Sequence, residues 1–105
     1  MAADSNCIFC RIVRRELPAS VVAEDAVALA FLDIRPINRG HALVIPKAHA
    51  ARLEDLPPPA GGRVFEMAQA VAAGLRRSGL PCDGVNLHLA DGALQQANVD
   101  LQVRA

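Results

Sequence analysis

The sequence predicts an α+β domain built on a mainly antiparallel sheet of five strands, with one long and one short helix. Three observations carry that prediction. Apolar residues recur at helical spacing in only two stretches, one near the N-terminus and one in the middle of the chain. Five short runs rich in Val, Leu, Ile and Ala are bounded by Gly, Pro, Asn or Asp. The order of the elements is helix, three strands, helix, two strands. A chain of 105 residues supports one modest core, and residues 1–105 read as a single domain. It is expected to be incomplete at the C-terminal end, where its last strand has nothing behind it.

Taken in order, Asn6 is expected to cap a helix over 7–16, with Ile8, Phe9, Ile12 and Val13 on its buried side, Arg11, Arg14 and Arg15 on the other, and Pro18 as its stop. Residues 21–24 and 27–32 make two strands around a turn at Asp25. Asp33 closes the second strand, Pro36, Asn38 and Gly40 mark the reversal, and 41–45 resumes the extended pattern. The stretch 31–49 is thus a hairpin with polar side chains at its ends, a place where a rigid sheet can hold a ligand. Arg52 to Leu56 with Pro57, Pro58 and Pro59 reads as an irregular connector. A long helix over 62–77 follows. Its core side carries Val64, Met67, Ala68, Val71 and Leu75, its outer side Arg63, Glu66, Gln69 and Arg76, and Gly79 with Pro81 ends it. Residues 85–89 and 98–104 alternate as strands on either side of an Asp91-Gly92 turn.

Composition excludes several functions. Eleven basic and eleven acidic residues cancel, so the field on which nucleic-acid and membrane-surface binders rely is absent; small phosphorylated ligands, which need only a few donors, remain open. No apolar run reaches the length of a membrane span and MAADSN lacks the blocks of a signal peptide, which points to the cytoplasm. Hydrophobic residues make up 52% but aromatics only 3%, so core and pocket walls must be largely aliphatic. Three cysteines are no secreted disulfide framework, and Cys82 reads as an inert small hydrophobe.

Cys7 and Cys10 carry the chemistry most visible from spacing. A two-residue gap lets both thiolates reach one ion, with His49 as a third ligand. A redox pair and two packed thiols are the alternatives.

The ordered segments CIFCRIVRRELPAS, VVAEDAVALAFLDIRPINRGHALVIPKAH, LEDL and GVNLHLADG resemble the histidine triad (HIT) family, in particular its bacterial HinT-like nucleotide hydrolases and transferases. The resemblance covers roughly 7–92. It implies a HIT-like fold, commonly a homodimer, that acts on the α-phosphate of nucleoside phosphoramidates, dinucleoside polyphosphates or nucleotide sugars. It implies a purine nucleotide or nucleoside phosphate as ligand, with Asp33 on the ribose hydroxyls and Phe9, Phe31, Leu32, Ile34 and Leu43 at or beside the wall around the base. It also implies a structural zinc on Cys7, Cys10 and His49.

The resemblance fails where the family takes its name. Members carry His-x-His-x-His after a Gly-Gln loop, the middle histidine attacking phosphorus. This chain reads ALQQANVDLQVRA there, without a histidine. The best register matches Gln96 to the loop glutamine, with one deletion, and sets Asp100, Gln102 and Arg104 at the three positions, leaving Leu101 and Val103 for the core. Asn98, Asp100 and Gln102 is the other register. An amide at the nucleophile position cannot form the covalent intermediate, so catalysis is expected to be impaired. Asp100 could still ligate zinc and Arg104 hold a phosphate. His41 reads as structural and His88 as a satisfied strand histidine. A non-catalytic zinc-stabilised dimer module, or a truncated product, is the competing reading.

Overall fold

The computed structural model describes residues 7–32, 40–80, 83–92 and 99–104. Its elements are helix α1 (Ile8–Val13), strands β1 (Val21–Glu24), β2 (Ala28–Leu32) and β3 (His41–Pro46), a single 3-10 turn (Leu53–Asp55), helix α2 (Pro58–Arg77), and strands β4 (Asn86–Ala90) and β5 (Asp100–Arg104). The strands form one sheet in the order β1-β2-β3-β5-β4, antiparallel throughout. β5 therefore inserts between β3 and β4, and β4 is left at an edge.

Strand alternation sends successive side chains to opposite faces, and each face meets one helix. Ala28, Ala30, Ala42, Val44, Leu101 and Val103 pack against Val64, Met67, Ala68, Val71 and Leu75 of α2. The small Ala side chains let the helix lie close to the sheet. On the other face, Leu29, Phe31, Ile45 and Leu43 meet Cys7, Phe9, Cys10 and Ile12 at α1. Each large aliphatic side chain buried in these layers contributes about 1.5–3 kcal/mol of transfer free energy.

Four local expectations are corrected. The cap of α1 is Cys7, whose Sγ accepts from the Cys10 backbone N–H at 3.3 Å; Asn6 lies outside the described residues. The helix is also shorter than expected. It stops at Val13, Arg15 takes a left-handed conformation (φ 63°), and Pro18 comes only after the chain has turned. Ile8 is 45% exposed, and the two cysteines take the buried positions beside Phe9 and Ile12. The triple proline is no connector either, because α2 starts at Pro58 rather than at residue 62. Proline suits the first helical turn, where its missing N–H has no partner to lose and its φ is already helical. The Ala60 and Gly61 N–H groups donate to Pro57 O at 2.9 and 3.0 Å. At the far end Gly79 (φ 89°) supplies the left-handed stop; Pro81 and Cys82 lie outside the described residues.

The turn into β2 is fixed by Asp25, whose Oδ1 accepts from the Val27 and Ala28 N–H groups at 2.7 and 2.8 Å while Oδ2 pairs with Arg63 of α2. The two backbone donors, then the guanidinium, hold that carboxyl down at about 2. Among the described residues, no helix is long and apolar enough to cross a membrane.

Candidate functional site

On the α1 face, three side chains with metal-ligating atoms converge. Cys7 at the cap and Cys10 one turn later project to the same side of α1, and both are 1% exposed. His49 reaches them from the loop after β3, with Nδ1 3.0 Å from Cys10 Sγ. That loop is fastened to the far strands: Val99 N donates to Ala50 O and Gly92 N to Ala51 O, both at 2.7 Å, and Leu53 N donates to Asp91 Oδ2 at 2.7 Å. The two Sγ atoms and a histidine nitrogen lie within 4.8 Å of one another. This is within side-chain rotation of the spacing that bonds of about 2.0–2.3 Å to one ion require, and two soft thiolates with an imidazole suit a zinc-like ion. Asp100 is not in that group.

Beside the cysteines stands an apolar wall. The Phe9 and Phe31 rings are 6.0 Å apart and tilted by 56°, a favourable edge-on arrangement, and Leu43 packs against the same cluster. Leu32 is elsewhere. Alternation along β2 turns it to the opposite face, where it lines an open groove of about 500 Å³ with Ala42, Val71 and Leu75. Asp33 and Ile34 lie outside the described residues.

Beyond the wall, β5 and β4 continue the same face. Phe31 pairs with Leu43, Leu43 with Gln102, and Gln102 with His88, so one row runs across four strands from aromatic ring to imidazole. A parallel row sets His41 opposite Arg104 and Arg104 opposite Asn86. Leu101 and Val103 turn to the α2 core. Both expected registers of this strand share that alternation, so Asp100 and Gln102 face the site in either; Gln96 and Asn98 lie outside the described residues. Asp100 is 2% exposed and accepts from Gln102 Nε2 at 3.2 Å. Burial pushes its carboxyl up from the ordinary value, offset in part by the Gln102 amide and by His88 and His41. His41 is buried.

Asn86 and the facing of His88 toward Gln102 escaped the sequence reading. The alternation Asn86-x-His88 was a usable signal for a shared face, but which strand lies alongside β4 depends on pairing between distant segments.

The HIT domain family model matches residues 14–102. The chain belongs to the HIT family. A crystal structure of a zinc-bound histidine triad family protein from Mycobacterium smegmatis superposes on this HIT domain with a TM-score of 0.85 and 40% identity, over 93% of this chain and 73% of that one. An uncharacterised HIT-like protein of Borreliella burgdorferi is 40% identical over 89 residues, covering 84% of this chain and 64% of its own length. The adenosine 5'-monophosphoramidase of Schizosaccharomyces pombe is 57% identical over 51 residues, 49% of this chain and 40% of the enzyme. The HIT domain described here therefore spans less than two thirds of either of those two proteins.

Proposed function

We propose that this HIT-family chain binds a purine nucleotide or nucleoside phosphate along the α1 face and is impaired in hydrolysing bonds at its α-phosphate. The observation that carries the reading is the row Phe31–Leu43–Gln102–His88: an apolar wall suited to a base leads to an amide at the register position where the family's resemblance calls for an attacking imidazole. Phe9, Phe31 and Leu43 line the base side; the family resemblance adds Ile34 to that wall and assigns Asp33 to both ribose hydroxyls, a task an ionised carboxylate can perform. Gln102 can donate a hydrogen bond to a phosphoryl oxygen. It offers no lone pair of useful nucleophilicity and no proton to transfer near neutral pH. The relatives named for adenosine 5'-monophosphoramidase activity support a nucleoside phosphoramidate as the ancestral substrate class.

Cys7, Cys10 and His49 would hold zinc as a structural ion; bound there, it supplies a cross-link between α1 and the loop after β3 rather than a reacting centre. The working form in this proposal is a cytoplasmic homodimer. Titration calorimetry with AMP, followed by an assay on adenosine 5'-phosphoramidate, tests the reading. Expected are micromolar-to-millimolar binding that is lost on Asp33→Ala, and turnover near background. Robust turnover that survives Gln102→Ala would overturn it.

The intact cysteine-histidine cluster also favours a second reading, a zinc-stabilised module without nucleotide affinity. Near-stoichiometric zinc with no AMP binding would select it.

A further inference from the structure

On the face of the sheet opposite the cysteines, an open groove of about 500 Å³ runs between the C-terminal turns of α2 and the strands β1, β2 and β3. Its origin lies in the spacing along α2. Val64, Met67, Ala68, Val71 and Leu75 reach the sheet, whereas the neighbouring row, Ala70, Gly74, Arg77 and Ser78, stays short until Arg77. A Cβ added at Gly74 would meet nothing within 4 Å, so no side chain of the sheet closes the groove at that turn. Across from it, β1 shifts register at Val22, and the bulge lets both Val22 and Ala23 line the groove. Val22 is 49% exposed and Leu32 39%, although both border a largely aliphatic surface.

We propose that this groove binds an aliphatic carboxylate, its alkyl chain lying along Val22, Leu32, Val71 and Leu75 and its head group held by Arg77. Charge and shape choose that occupant. Arg77 belongs to the lining and, among the described residues, makes no ion pair; no acidic side chain lines the groove with it. A guanidinium presents parallel N–H donors that match the two oxygens of a carboxylate. The volume falls within the range of about 300–1,000 Å³ typical of small-ligand pockets, which set a few polar groups in apolar walls. An extended peptide is a poorer fit. The edge strand beside the groove, β1, is four residues long, bulged at Val22, and carries Glu24 in ion pairs with Arg15 and Lys47, all features that discourage strand addition. A second copy fits no better, because a twofold axis would set concave against concave and bring Arg77 toward its own counterpart. The site is independent of the nucleotide reading, since the groove and the α1 cluster lie on opposite faces of the sheet.

Octanoate and octylammonium, equal in chain length and opposite in charge, are the probes, added to the full chain and read by calorimetry and by the methyl signals of Val22, Leu32 and Ala42. Octanoate is expected to bind saturably, to move those signals, and to bind about tenfold more tightly than octylammonium, the size of one hydrogen bond to a charged group. Arg77→Glu should reverse that order. Gly74→Leu fills the groove and replaces a helical glycine with a better helix former, so it should remove octanoate binding without lowering the melting midpoint. Should that variant fold poorly, Ala70→Leu at an exposed position of the same row makes the same test. Octanoate that does not saturate, binds no better than octylammonium, or is indifferent to Arg77→Glu or to the filled groove overturns the proposal. AMP is expected neither to displace octanoate nor to respond to these substitutions; competition between the two would also overturn the site. A concentration-dependent dimer that Gly74→Leu disrupts would overturn it as well and assign the groove to a second copy.

Discussion

The two ends of the α1 face differ in how firmly their functional groups are held. At the cysteine end, Cys7 and Cys10 are buried, the Cys7 sulfur takes part in helix capping, and the loop carrying His49 is tied down by three hydrogen bonds to the ends of β4 and β5. At the β4–β5 end, Asn86, His88 and Arg104 are exposed on an edge strand and its neighbour. The contrast teaches that a constellation woven into the core resists replacement, because each substitution there also disturbs packing. Residues on an exposed ladder can change identity while the backbone pairing stays in place; of the positions matched to the triad, Arg104 is exposed and Gln102 half-buried, while Asp100 at the inner end is buried.

Four experiments would break or sharpen this comparison. The largest effect is expected from the cysteine end: with zinc present at a thousandfold excess over its dissociation constant, loading should stabilise the fold by about 4 kcal/mol. Chelation or Cys10→Ser should abolish that gain, read as a fall in melting midpoint alongside metal content. Unchanged midpoints on stripping the metal would remove the structural role assigned to it. Next, Leu29→Ala, fully buried beside α1, should cost about 2–5 kcal/mol. Leu89→Ala on β4, where the side chain is 40% exposed, should cost under about 1 kcal/mol in the same denaturation series. Equal costs would show that the β4 edge is as tightly packed as the interior.

The third test concerns chemistry. Gln102→His should raise turnover of adenosine 5'-phosphoramidate by about a hundredfold over the parent chain, the low end of what one positioned imidazole contributes. No gain would mean that more than the middle position has been lost. The smallest effect is electrostatic. Because burial raises the carboxyl of Asp100 in the folded state, its stabilising protonated form is fully present below the unfolded value and is lost as pH rises through the folded one. Asp100→Asn should therefore raise the melting midpoint more at pH 7 than at pH 4. A reversed order, with loss of bound zinc at pH 7, would instead place Asp100 among the metal ligands.

Much of the fold was legible because it is written in local periodicity. The core side of α2 (Val64, Met67, Ala68, Val71 and Leu75) is the set its spacing predicts, and the five strands fall where the alternating runs stand. The misses concern competition between local groups or pairing across distance. A thiol capped α1 where an asparagine was expected, since Cys7 sits at the position whose side chain can reach the Cys10 N–H. The prolines at 57–59 served as a helix start, a role that the same residues would lose one turn further in. Leu32 turned away from the apolar wall because it is an even step from Ala28 and Ala30, which face α2. Of the site, the Cys7–Cys10–His49 cluster was readable from spacing, whereas His88 against Gln102 depends on a strand register that no local pattern encodes.

The insertion of β5 between β3 and β4 bears on how the chain comes to be assembled. Val44 must wait for Leu101, more than half the chain later, before the middle of the sheet can close. Such distant pairing makes the central ladder a late event in folding, after the local hairpin of β1 and β2. Cys7, Cys10 and His49 are all synthesised before α2 begins. On a ribosome, a metal ion could therefore clasp the N-terminal half while the last strand is still untranslated, giving the growing chain a fixed point onto which β5 later docks.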